Sequence, residues 1–300
     1  MSREDPEAPA GTPEGDAGRP RDAWARMTPY EVGIPGREFA DENFRRIAEE
    51  AETREVDTTD PGAFILLGEA GRTLKEIQGE GEDSPQRPGG GEALHRFGAF
   101  LFQAFHFHQA GELLLLVGTE AVRGVVEGRL ELGRWAGELP ADAGYLQLPR
   151  HLVWSHPDPE GPAEDLDGVF WTRSAGDTLS LMAALGIRPD RPGLSVVPLP
   201  PVPLADAARW PQARVRGEDQ GPDFATTLPG GELDELYSVV AMGELLKLVG
   251  RVFAYMNAVP ESLGALERSP RPEDVSEERI VPSLLPFRRI QAVEAESPRP

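Results

Sequence analysis

Cysteine is absent from all 300 residues. That excludes disulfides, a thiolate nucleophile and a Cys-ligated zinc site. No apolar run approaches the roughly 18 residues of a membrane-spanning helix, so no membrane association is expected. Positive charge is scarce: 30 Lys and Arg stand against 51 Asp and Glu, a formal net charge of −21. Sequence-independent binding to a phosphate backbone needs clustered basic residues, so direct nucleic-acid binding is not expected. The same deficit suits solubility and attraction to a basic partner protein. The N-terminus is acidic and has no apolar core of a signal peptide, so the cytoplasm is the expected compartment. Catalytic signatures are missing too. There is no G-x-S-x-G elbow, Walker lysine loop, Rossmann glycine fingerprint, H-E-x-x-H or kinase set. The balance tilts from enzyme toward binding protein, and no cofactor is expected.

What is present centres on Gly144 to Leu204, where β-type residues cluster and turn signals arrive at hairpin spacing. Tyr145, Leu146 and Leu148 form a short strand stopped by Pro149; Leu152, Val153 and Trp154 form a second. The pair Asp167-Gly168 reads as a turn introducing a third strand, Val169 to Thr172. Ser174-Ala175-Gly176-Asp177 is a tight turn. Leu179, Leu181, Ala183 and Leu185 then alternate with less apolar residues, the period of a strand with one buried face. Leu194 to Val197 closes an antiparallel meander.

Two long apolar helices flank this region. Glu92 to Gln109 carries Leu94, Phe97, Phe100, Leu101, Phe105 and Phe107, a stripe wide enough for a largely buried helix. Residues 231–258 are apolar on much of their surface and end at Pro260. Asp41 is a plausible N-cap for a helix beginning at Glu42. Trp24 to Phe39 reads as irregular, anchored by Tyr30, Val32 and Ile34. The expected class is α+β, an antiparallel β-meander packed against the two helices, with acidic or Pro-rich tails. The organisation is a disordered tail over 1–23 and a single domain over 24–268, followed by a Pro/Glu-rich tail over 269–300. Within the domain, 40–130 is helical, 144–204 the meander and 231–258 a helix.

Two groups of residues are candidates for function. Tyr145, Trp154 and Trp171 are large aromatics in the meander. Their size favours the core, and the alternative is a groove that receives a partner protein. His106, His108 and Glu112 have the spacing of the HxH…E metal motif of cupins, the alternative being a metal-dependent enzyme. The helical periodicity opposes this, because residues two apart on a helix point about 200° from each other. The downstream histidine motif of cupins is also missing. His151, His156 and Asp158 form a looser acid/base candidate, and turn polarity accounts for them better.

The order of elements resembles the anti-CRISPR proteins that act against the type V effector nuclease. Four places carry the resemblance: the aromatic helix from Phe97 to Phe107 with the Leu-rich run after it; Tyr145-Leu146-Gln147-Leu148-Pro149 with His151-Leu152-Val153-Trp154; Asp167-Gly168-Val169-Phe170-Trp171; and the apolar helix around Leu245 to Pro260-Glu261. The resemblance implies a non-enzymatic protein that binds another protein, with a nascent chain as one candidate, in a phage or mobile-element setting. It carries over no functional residue. The family's basic, aromatic C-terminal extension has no counterpart in the Pro/Glu-rich end of this chain.

Overall fold

Thr28 starts the first element. Its hydroxyl accepts from the Glu31 amide, and the Glu31 carboxylate accepts from the Thr28 amide. This reciprocal cap, with proline at the first helical position, makes α1 (Pro29–Gly33) out of a stretch that its composition alone marks as irregular. The computed structural model describes residues 23–78, 90–126, 137–150, 152, 154–155, 164–185, 196–209, 233–271 and 281–293. After α1, Pro35-Gly36 breaks the chain, and Gly36 takes a positive φ of 107°. Helix α2 (Arg37–Thr53) therefore begins well before the expected cap, and Asp41 lies inside it. Helices α3 (Pro61–Phe64), α4 (Gly68–Gln78) and α5 (Gly90–Gln109) complete an N-terminal helical layer.

Gly111 and Glu112 end α5 in the left-handed region, with the Glu112 amide bonded back to the Phe107 carbonyl. The chain then enters β1 (Leu114–Val117), crosses through α6 (Thr119–Val126) and returns as β2 (Ala143–Gln147), parallel to β1. Such a parallel pair needs a crossover, which α6 supplies. Strands β3 (Trp154–Ser155), β4 (Glu164–Ser174), β5 (Thr178–Leu185), β6 (Val196–Pro198) and β7 (Val202–Pro203) form the antiparallel meander. After α7 (Leu204–Ala207) and α8 (Leu233–Ala258), β8 (Leu263–Glu267) and β9 (Phe287–Ile290) pair antiparallel.

The sheet order is β6-β5-β4-β2-β1-β9-β8, with β3 beside β4 and β7 beside β5. The α+β class and the meander hold, and the sheet is wider than the meander and mixed, because β1 runs parallel to both β2 and β9. Residues 287–290, which composition assigns to a tail, form an inner strand. Phe287 and Ile290, two of the apolar residues by which that stretch could dock a short segment, are buried on opposite faces of the sheet.

Both faces of the sheet are covered. One carries α6, α7 and α8 with Leu115, Leu146, Val169, Trp171 and Leu181; the other carries the helices up to α5 with Leu114, Tyr145, Phe170 and Met182. Hence β5 is not half-buried as its alternation suggests: Leu179, Leu181, Ala183 and Leu185 face one layer, while Met182 and Ala184 face the other. Asp167-Gly168 is not a turn but a bulge within β4. The extra residue keeps Leu166 and Val169 on the same face and turns Asp167 to the opposite one.

Candidate functional site

Tyr145 and Trp171 are fully buried and lie in different layers, so they line no common groove. Trp171 packs edge-on against Phe253 of α8, at 5.2 Å between ring centroids, and its Nε1–H donates to the Ala141 carbonyl. Tyr145 packs at a tilt against Phe170 under α5 and donates its hydroxyl to Asp167 Oδ2 at 2.6 Å. Burial, then the Asp167 charge, raise the Tyr145 hydroxyl well above the usual phenol range. Both residues thus follow the core-packing alternative. Trp154 sits in β3, where its backbone pairs with Asp165, and its side chain lies outside the described residues, as do His151, His156 and Asp158.

Asp167 instead anchors a buried polar knot that sequence reasoning missed. Arg26 Nε donates to Asp167 Oδ1 at 2.8 Å, and Arg26 Nη2 donates to the Leu148 carbonyl. The Gln147 amide meets both backbone groups of Arg26, accepting from its N–H at 2.8 Å and donating to its carbonyl at 3.1 Å, and also donates to Asp167 Oδ2. These partners come from segments more than a hundred residues apart, so no local spacing announces them.

His106 and His108 diverge around α5. His106 Nε2 donates to the Thr58 carbonyl at 2.9 Å, and its ring packs on Phe102 and Phe105. Burial lowers its pKa and favours the neutral ring. His108 points toward α1 and α2. Its Nδ1 lies 3.0 Å from Glu112 Oε1 and 3.0 Å from the Tyr30 hydroxyl, and its Nε2 lies 3.1 Å from Asp41 Oδ1. Only His108 and Glu112 of the three metal candidates come together. Among the described residues no group of three or more His, Asp or Glu is arranged to hold a metal ion. The hydrogen bond from His108 lowers the Glu112 pKa more than burial raises it. Burial, then the Glu112 charge, push the Tyr30 hydroxyl above its usual range. This cluster ties α1 and α2 to the end of α5. It explains why Asp41, an unused cap, and Glu112, in a left-handed conformation, occupy their positions.

Among the described residues, an open cleft of about 940 Å³ lies where the ends of α2 and α5 meet the ends of β2 and β4. Ala48, Ala51 and Glu52 come from α2, and Phe105, His106, Gln109 and Ala110 from the end of α5. Asp142, Ala143, Arg173 and Ser174 close it from the sheet. Its walls are stitched by the backbone: the Ala175 amide donates to the Thr59 carbonyl at 3.0 Å, and the Arg173 amide to the Asp142 carbonyl. Two of its polar side chains are bonded to residues behind the lining. The Thr59 hydroxyl and amide donate to Asp57, and Ser174 Oγ donates to Ser180 Oγ at 2.6 Å. Its buried lining is apolar at Ala51 and Phe105, and its exposed rim is polar at Glu52, Gln109, Asp142 and Arg173.

No family model matches the chain, and no curated protein matches it in sequence. A solved structure does align with it. That structure, the crystal structure of AcrVA2, a type V anti-CRISPR protein, matches over 88% of this chain and 84% of its own, at 11% identity and a TM-score of 0.43. The match is weak. None of the described helices is long and apolar enough to cross a membrane.

Proposed function

We propose that the protein is a non-catalytic binding module that receives an extended segment of a partner protein in the cleft between α2, α5 and the ends of β2 and β4. The observation that carries this reading is the state of the lining residues. His106 is bonded to a backbone carbonyl and Ser174 to Ser180, while Thr59 is bonded to Asp57, so these three side chains hold the walls in place and the exposed Glu52, Gln109 and Asp142 are left to meet a ligand. A preformed cleft of this kind, with an apolar floor and polar rim, fits recognition by shape and a few polar contacts. The resemblance in sequence order to type V anti-CRISPR proteins makes a CRISPR-associated nuclease the first partner to test.

The test is a cleft-filling substitution. Gln109 and Ala110 are exposed on the rim. Ala110→Trp and Gln109→Trp should leave the thermal unfolding curve in place and abolish co-purification of a recombinant type V nuclease, full-length or as its ribosome-bound nascent chain. Undiminished binding by both folded variants would move the interface elsewhere.

A further inference from the structure

We infer that the cleft selects a segment carrying Lys or Arg, so that its occupant is a basic stretch of polypeptide; this rests on the binding reading above and specifies the chemistry of the partner. The argument starts from the backbone. Helices α2 and α5 both direct their C-terminal ends at the cleft, each the negative pole of a helix dipole. The last turn of α2 holds no basic residue, and the nearby Arg54 is engaged with Glu50. The last turn of α5 holds His106 and His108: burial holds His106 toward its neutral form, and His108 turns away from the cleft to Glu112 and Asp41. Neither pole is compensated by a cation aimed into the cleft from its own helix.

The side chains add to the same sign. Glu52 and Asp142 line the opening and are both exposed, while Asp57 stands just behind it, its pKa lowered by the hydroxyl and amide of Thr59. Arg173 is the cation on the lining, 3.8 Å from Asp142. Two carboxylates against one guanidinium, with two helix C-termini behind them, leave the site negative. The whole chain, at −21, adds a long-range field of the same sign that would draw a cationic segment toward the opening. Ala48 and Val56, half-buried on the lining, give the aliphatic stem of a Lys or Arg a surface to lie on while its charge stays at the rim.

Random peptides of about a dozen residues, long enough to span a cleft of this size, are the probe. They are selected on the full-length protein and then counter-screened on Ala110→Trp and Gln109→Trp, so that peptides held only by the general negative field drop out. Among clones that need an open cleft, Lys and Arg should be enriched. Glu52→Arg with Asp142→Arg should weaken them by about fivefold or more. Reversing Glu120→Arg on α6, in the opposite layer, should not. Cleft-dependent clones with no basic enrichment, or clones indifferent to the reversal at Glu52 and Asp142, would overturn the inference and leave the binding reading standing. A selection that yields no cleft-dependent clone would overturn both.

Discussion

At the scale of single residues, the buried contacts decide most. Arg26 and Asp167 expose only 11% and 6% of their side chains, so removing Arg26 leaves the buried Asp167 charge with only the neutral donors Tyr145 and Gln147. Arg26→Ala should cost about 3–5 kcal/mol in denaturant unfolding. Adding Asp167→Asn should recover part of the loss, since a neutral amide is cheaper to bury. Titration gives a second check. The His106 pKa is depressed by burial below its ordinary 6.5, so the unfolded chain binds a proton more readily than the folded one. Stability should therefore fall as pH drops through about 6.5, with the loss continuing toward the lower folded-state value, and His106→Gln should flatten that slope in thermal melts. Glu112, also depressed, adds a loss of the same sign at pH below its ordinary 4.5. Of this layer the sequence reveals the divergence of His106 from His108, which follows from helical geometry. Tyr30 and Asp41 reach His108 only through the packing of α1 and α2 on α5, and no local pattern encodes that.

Among elements, the β4–β5 hairpin was the most legible. Ser174 to Asp177 carries its own turn chemistry, and Gly176 and Asp177 both take positive φ there. Strand β1 carries no such signal, because Leu114 to Val117 is buried on both faces and shows no alternation to separate it from a buried helix. Two glycines in the ladder allow a direct test of the sheet's packing. A Cβ at Gly168 would sit 2.3 Å from the Leu146 carbonyl oxygen, and one at Gly144 would sit 2.3 Å from the Trp171 ring. Gly144→Ala and Gly168→Ala should each cost roughly 1–3 kcal/mol, with Gly168 the more severe because backbone cannot rotate away as a side chain can. Chemical denaturation would measure both. Trp171→Ala belongs with them: removing an indole packed on Phe253 should cost about 3–5 kcal/mol, seen as a lowered midpoint.

For the molecule as a whole, the sheet divides two layers of helix and cannot be shortened at its C-terminal end. A chain cut at residue 268, where composition places the end of the domain, loses β9 and with it both of that strand's ladders, to β1 and to β8. Such a chain should lose cooperative unfolding, as judged by amide dispersion in NMR or by a broadened melt. The reach of β9 also bears on how the protein is made. Its residues leave the ribosome long after β1, yet they pair along β1's flank, more than a hundred and fifty positions away in sequence. Until residue 290 emerges, β1 presents an unpaired edge of four buried-type residues to the cell, and β8 has nothing to lean on. Completion of the sheet thus waits for β9, and a pause in synthesis between β1 and β9 would prolong the life of that open edge.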